Sequence, residues 1–299
     1  MGPTAAGKTD AALGIADSAA VDLISVDSAM VYRKMDIGTA KPTAAVLARY
    51  PHALVDIRDP VDAYSVAQFV ADADAAVRSS LDAGRTPVLV GGTMLYFRAF
   101  KAGLHRLPAA DPVVRLEIAA RAERHGWPAL HGDLARRDPE GAARIDPNNG
   151  QRIQRALEVL ELTGRPMGHW WSKTAKAAGQ RLGCRLVEVA IVPQDRPSLH
   201  RRIAKRLDEM LQRGLVDEVR ALRGDPALSM ETPAMRAVGY RQVWRYLDGE
   251  YGHDAMVERI GAATRQVAKR QLTWLKGWQD LVGKAVDAPT AVAVVLQYL

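Results

Sequence analysis

The residues able to do chemistry gather first at the amino end, where Gly2-Pro3-Thr4-Ala5-Ala6-Gly7-Lys8-Thr9 follows the pattern glycine, four residues, glycine, lysine, threonine. In that pattern backbone N–H groups and a helix amino terminus wrap a phosphate chain. The glycines allow a tight turn against the ligand. Lys8 supplies a point charge to the phosphates, and the Thr9 hydroxyl can hold a magnesium ion. Two further polar residues close apolar runs: Asp27 after Val21-Asp22-Leu23-Ile24-Ser25-Val26, and Thr93 after Pro87-Val88-Leu89-Val90-Gly91-Gly92. A carboxylate beside a phosphate-binding turn is placed to orient a nucleophile and accept its proton.

These residues must be held by particular elements. Residues 10–18 are helix-compatible, and 21–26 read as a short, β-branched, buried strand that ends at Asp27. Ser65 is an N-cap for an alanine-rich helix that stops at Gly84, and residues 87–90 follow as a second strand. Helix alternating with apolar strand predicts a parallel α/β sheet, in which ligands collect at the carboxyl ends of strands, where Asp27 and Thr93 both fall. From residue 107 to 183 the strand signal gives way to helical spacing, broken at Gly126-Trp127-Pro128 and Asp146-Pro147-Asn148-Asn149. Residues 185–192 read as a strand rejoining the sheet, and 198–223 and 254–276 as helices packed on it. The expected class is therefore α/β, a phosphate-loop NTPase-like core made of residues 1–106 and 184–299 with a helical insertion over 107–183. Such loops ordinarily follow a buried strand, yet only Met1 precedes Gly2. Either the protein begins further upstream, or neighbouring strands and the helix position the loop unaided.

Bulk properties narrow the class. The formal charge of +7 is uneven: residues 1–105 hold 10 Lys/Arg against 11 Asp/Glu, and the remainder holds 31 against 23. A near-neutral portion joined to a basic one suits a polyanionic partner such as nucleic acid. No apolar run approaches the roughly 18 residues that span a bilayer and no signal peptide is present, so a cytoplasmic protein without membrane attachment is expected, acting as a monomer. The single cysteine, Cys184, precludes an internal disulfide and reads as a structural thiol. No histidine pair has metal-ligand spacing with supporting acids.

The loop is followed by Ser25-Val26-Asp27-Ser28-Ala29-Met30-Val31-Tyr32-Arg33-Lys34-Met35-Asp36-Ile37-Gly38-Thr39-Ala40-Lys41-Pro42, a run that resembles the tRNA dimethylallyltransferases. Val90-Gly91-Gly92-Thr93-Met94-Leu95-Tyr96, Asn149-Gly150-Gln151-Arg152-Ile153-Gln154-Arg155-Ala156-Leu157-Glu158, Arg236-Ala237-Val238-Gly239-Tyr240-Arg241-Gln242 and Lys269-Arg270-Gln271-Leu272-Thr273-Trp274-Leu275 extend the likeness over almost the whole chain. Ala6 departs from it, because the family often has serine there.

The resemblance implies that the loop holds dimethylallyl diphosphate, with magnesium, so that a carbon–oxygen bond breaks and diphosphate leaves. Lys8, Thr9 with the metal, and the loop amides then stabilise the charge that builds on the leaving group. Arg202 and Arg206, four apart on a helix whose other face carries Leu199, Ile203, Leu207 and Leu211, can point the same way. Of the two, Arg202 is the expected extra clamp on the diphosphate. Asp27 would orient the adenine amine and take its proton, with Thr93 bonding the same amine or the diphosphate.

The target adenine must be swung out of the anticodon loop, so basic helices grip the anticodon stem-loop around it. The segments expected at the RNA are Asp27 to Met30 with Ser28 and Ala29, Thr93, and Gln151, Arg152, Ile153, Gln154 and Arg155. Arg236, Ala237, Val238, Gly239, Tyr240 and Arg241 belong with them, as do Lys269, Arg270, Gln271, Leu272, Thr273, Trp274, Leu275 and Lys276. Arg236, Tyr240 and Arg241 supply planar groups that stack on splayed bases, and Arg115 guards the entrance from the insertion. Trp274 and Trp278, four apart beside Leu275, have the spacing of core packing. Three rivals share features with this reading: a small-molecule kinase, a prenyltransferase acting on free adenine nucleotides, and a non-catalytic RNA-binding module. The first lacks an apolar strand ending in a second magnesium-binding carboxylate, the basic portion disfavours the second, and the third leaves Asp27 and the loop without a role.

Overall fold

The computed structural model describes residues 1–105, 107–171 and 175–299. It divides into two compact units, residues 1–101 with 178–299, and residues 102–177. The first unit begins with α1 (Lys8–Ser18), β1 (Val21–Val26), α2 (Ala44–Arg49), β2 (His52–Ala53), α3 (Val66–Asp82), β3 (Thr86–Gly91) and α4 (Met94–Ala102). The second holds α5 (Pro112–His125), α6 (Trp127–Arg137), α7 (Pro139–Ala142), α8 (Gly150–Thr163) and α9 (Met167–Trp171). The chain then returns through α10 (Ala178–Leu182), β4 (Val189–Ile191), α11 (Arg196–Gln212), α12 (Leu215–Arg223), α13 (Tyr240–Leu247), α14 (His253–Lys276), β5 (Gly283–Ala285) and α15 (Ala288–Leu296).

β1 lies between β2 and β3 and pairs in parallel with both. Its Val21, Leu23, Ile24 and Val26 are all buried, as a strand covered on both faces requires. α3 starts at a capping box in which Ser65 Oγ accepts from Gln68 N at 3.2 Å and Gln68 Oε1 accepts from Ser65 N at 2.8 Å. Phe69, Ala73 and Val77 of this helix share a core with Ile24 and Val26, so the β1–α3–β3 crossover fixes where the strands end.

Residues 185–192 do not rejoin that sheet as the sequence led us to expect. Only Val189–Ile191 are extended, and they pair in parallel with β5 in a separate two-stranded sheet. The physical reason is that β4 finds its partners elsewhere: the Met1 amine donates to Val189 O at 2.8 Å, and Ile191 N donates to Met1 O at 2.8 Å. Between β3 and β4 lies an apolar cavity of about 260 Å³, with Val88, Phe97 and Val187 among its walls. Burial, then the charge of Lys8, depress the Met1 amine to about 5. Cys184, on the same cavity, is a half-buried free thiol whose pKa burial raises.

The helix expected over 198–223 is broken into α11 and α12 at Gly214, which takes a left-handed φ of 93°. Trp274 and Trp278 pack against the α/β core, and Trp278 Nε1 donates to Glu188 at 2.5 Å. The unit boundaries fall a few residues before the expected ones, because Ala178 of α10 is fully buried in the same core as Phe100. In the insertion, α5, α6 and α8 pack around Ile118, Leu130, Leu134, Ile153 and Leu157.

Candidate active site

The phosphate loop enters α1 through Gly7, whose φ of 88° no side-chain-bearing residue adopts without strain. Two long-range bonds hold the loop in place. Thr4 N donates to Gln271 Oε1 at 2.8 Å, and Gln271 Nε2 donates to Gly92 O at 2.8 Å, so one α14 side chain bridges the loop to the turn after β3. A cavity of about 520 Å³ opens over residues 4–10 and is also lined by Ser25, Asp27, Thr39, Arg202 and Arg206.

Lys8, Arg202, Lys205 and Arg206 line this cavity against Asp10, Asp27 and Glu209, an excess of one positive charge. Lys8 Nζ donates to Pro3 O at 2.6 Å, and burial, followed by the charge of Arg206, lowers its pKa to about 8. Arg206 is half-buried and has no ion pair or hydrogen bond among the described residues, and burial lowers its pKa against the opposing pull of Asp27. Arg202, one turn earlier on α11, lines the same cavity but is exposed. The deeper cation is thus Arg206 rather than the expected Arg202.

Asp27 turns out to do two things. Its Oδ1 accepts from Ala29 N at 2.8 Å and Met30 N at 3.2 Å, closing the turn after β1. Its Oδ2 makes no hydrogen bond among the described residues and remains available to the cavity. Thr93 Oγ1 accepts from Ser28 N at 3.2 Å, which ties the end of β3 to the end of β1. Thr9 faces the cavity beside Lys8.

The wall opposite the loop is fixed by residues that sequence reasoning missed. The Glu218 carboxylate on α12 accepts from three successive amides, Asp36 N at 2.9 Å, Ile37 N at 2.7 Å and Gly38 N at 3.0 Å. Tyr240 Oη donates to the same carboxylate at 2.6 Å, and a Cβ on Gly38 would come within 2.5 Å of the Tyr240 ring. Lys41, 4 % exposed, donates to Tyr32 O at 2.8 Å and to Asp36 and Asp56 at 2.5 Å each. Nothing in the sequence around Glu218 distinguishes it, whereas Lys41 lay inside the first motif.

Several residues expected at RNA face inward instead. Tyr240 is fully buried with its hydroxyl on Glu218, so it has no ring face for a base. Gln271 spends its amide on the phosphate loop, and Ile153 and Leu275 are core residues because each falls on the apolar stripe of its helix. Arg115 and Arg155 both bond Glu158, which is wholly buried, and Arg155 also donates to Pro108 O at 2.6 Å. Burial pushes the Glu158 carboxyl up, but the bonds from Arg115, Arg155 and Asp111 N outweigh it and the pKa is lowered. Gln154 donates to Arg115 O at 3.1 Å in the same network. Ser28, Gln151, Arg152, Arg236, Arg241, Lys269, Arg270, Thr273 and Lys276 are exposed, with Arg236 ion-paired to Glu231.

A parallel α/β sheet, a glycine-lysine-threonine loop at a helix amino terminus and two half-buried cations lining one cavity with Asp27 define a protein of the phosphate-loop class. The IPP transferase family model matches residues 30–278, and the chain belongs to that family. The tRNA dimethylallyltransferase of Alkalilimnicola ehrlichii is 57% identical over 276 residues, covering 92% of this chain and 86% of the relative. The tRNA dimethylallyltransferase 2 of Hahella chejuensis is 50% identical over 100% of this chain and 93% of its own length. The crystal structure of a full-length tRNA isopentenylpyrophosphate transferase from Bacillus halodurans superposes with a TM-score of 0.70 at 35% identity, over 99% of this chain and 93% of that one. A eukaryotic dimethylallyltransferase acting on tRNA shares the fold with a TM-score of 0.79 at 23% identity, over 99% of this chain and 75% of that one.

Proposed function

We propose that this chain transfers a dimethylallyl group from dimethylallyl diphosphate to the exocyclic amine of the adenosine adjacent to the anticodon of tRNA, releasing diphosphate, as a cytoplasmic monomer. The observation that carries this reading is the pair of cations Lys8 and Arg206, neither salt-bridged among the described residues, across one cavity from the open Oδ2 of Asp27. Like charges held together at a phosphate loop await an anion, and the carboxylate opposite awaits a proton donor.

The chemistry follows from that arrangement. The loop amides, Lys8 and Arg206 bind the diphosphate and stabilise it as the carbon–oxygen bond lengthens. Asp27 Oδ2 accepts a hydrogen bond from the amine, aligns its nitrogen with the allylic carbon and takes the proton as the carbon–nitrogen bond forms. Its Oδ1, bonded to Ala29 N and Met30 N, keeps that orientation fixed. Magnesium suits one hydroxyl plus phosphate oxygens and water, and Thr9 offers that hydroxyl. When bound, the metal adds positive charge at the leaving group. Among the described residues no helix is long and apolar enough to cross a membrane.

The test incubates the protein with labelled dimethylallyl diphosphate, magnesium and an anticodon stem-loop, with labelled ATP in a parallel tube. Label from the prenyl donor appears in the RNA. Label transferred from ATP, or none from either tube, would defeat the reading.

A further inference from the structure

α4 starts directly after Thr93, two residues beyond Gly92 in the wall of the Asp27 cavity, and of residues 94–100 only Leu95 and Arg98 are exposed. Three positions apart, they stand on one face of the helix. Arg98 lies over the Trp274 ring of α14, 5.7 Å from its centroid, a contact that holds the guanidinium without neutralising it. Among the described residues Arg98 has no ion pair or hydrogen bond. Arg270, four residues before Trp274 and on its side of α14, is exposed and likewise unpaired among the described residues. Neither helix supplies a carboxylate here: α4 has none, and α14 has none between Glu258 and its end at Lys276. Where α4 carries a cation inside the fold, that cation is neutralised, since Lys101 pairs with Glu188 and Asp280. A single exposed leucine carries no argument by itself. Beside two uncompensated arginines, one of them braced on an indole, it belongs to a surface suited to a polyanion with apolar parts.

We infer that this α4–α14 face binds the RNA loop strand beside the target nucleotide. Arg98 takes a phosphate, and Leu95 packs against the base that phosphate carries. The inference rests on the RNA reading proposed above and adds α4 to the elements that hold the acceptor. Location favours the loop over the stem. Gln271 of α14 bonds Gly92 O, so the junction of the two helices is locked to the cavity wall, and the backbone flanking a base drawn into that cavity must cross its rim. Chemistry favours it too: an apolar side chain next to an arginine suits an unstacked base joined to its phosphate, whereas a duplex keeps its base faces stacked.

Filter binding of an anticodon stem-loop over a salt series tests the two side chains separately. Arg98→Gln should weaken binding ~10-fold at low salt and make the slope of log affinity against log salt shallower by ~0.7–1. Arg98→Lys should keep most of that slope. Leu95→Ala should weaken binding roughly fivefold at every salt concentration and leave the slope unchanged, because it removes apolar contact and no charge. A blunt duplex of the stem alone should bind every form equally. Both side chains are exposed, so the variants should melt with the unaltered chain and bind inorganic diphosphate as tightly, which separates loss of an RNA contact from loss of structure. An unchanged salt slope in Arg98→Gln would overturn the inference, and so would an equal loss on the duplex, the result expected if the face grips the stem. Prenyl transfer by the unaltered chain together with an unchanged slope would remove this face alone. A slope that depends on Arg98, with no transfer by any form of the protein, would instead leave the face standing and remove the proposed reaction.

Discussion

Replacing Gln271 by alanine separates two roles that the sequence alone joins. The side chain makes two part-buried bonds at 2.8 Å, one received from Thr4 N and one given to Gly92 O, and both are internal to the protein. Each such bond contributes ~1 kcal/mol net, and removing it strands a backbone group that water reaches only partly, so the loss is ~1–3 kcal/mol. Because Thr4 belongs to the phosphate loop, much of that loss falls on the geometry proposed to receive the donor. With ~1.4 kcal/mol per factor of ten, KM for the donor should rise ~10-fold or more. Melting should fall by ~2–4 °C per kcal/mol lost. Filter binding of the stem-loop should change by less than ~3-fold, since both bonds are made within the protein. Gln271→Glu should impair the donor step further than alanine does, because it sets a negative charge beside an anion site and opposite a carbonyl oxygen. A large loss of stem-loop affinity with donor KM unchanged would show that Gln271 reads RNA and that the loop needs no brace.

The same geometry yields three shorter tests. Asp27→Asn keeps an oxygen for Ala29 N and Met30 N, so folding and stem-loop binding should persist while turnover falls ~10²–10⁴-fold; a mild loss in single-turnover assays would remove Asp27 as the proton acceptor. The free-enzyme pKa of Lys8 is lowered to about 8, so its ammonium is present below that pH and lost above it. Donor kcat/KM should therefore decline as pH rises through about 8, and saturating donor should shift the decline to higher pH because a bound anion favours the charged form; a flat alkaline limb would refute this. Arg206→Ala should reduce donor kcat/KM ~10–100-fold and Arg202→Ala several-fold less, because a desolvated charge-assisted bond outweighs an exposed one; the reverse ranking would return the clamp to Arg202.

The legible parts of this protein are those whose cause is local. The glycine spacing of residues 2–9 dictates a turn into a helix, and the β-branched run of 21–26 dictates a buried strand, so the placement of Lys8 and Asp27 followed from the sequence. Residues whose role depends on a distant partner were not legible. Gln271 meets Thr4 across 267 positions and Glu218 meets Gly38 across 180, and neither carboxylate nor amide carries a mark of its target in its own neighbourhood. Helical spacing put Arg202 and Arg206 on one face, but it could not say which turn of α11 the phosphate loop would cover. Arginine and tyrosine around residue 240 looked like a set of planar groups for bases because surface and core tyrosines share one letter; a carboxylate on α12 decided the matter by taking the hydroxyl inward.

The strand at 185–192 failed for a related reason. Its composition is apolar and β-branched, yet extended backbone persists only where a partner completes the ladder, and here Met1 and β5 offer partners to three residues. β2, two residues long, exists because His52 and Ala53 lie against Leu23 and Ile24, with no pattern of its own. The site therefore combines two kinds of information. Local sequence supplies the groups proposed to react, and tertiary bonds from Gln271, Glu218 and Lys41 brace the segments around them. Substitutions at those bracing residues should accordingly alter donor selection before they alter the chemistry, because they move the cavity wall and leave Lys8 and Asp27 on their own elements.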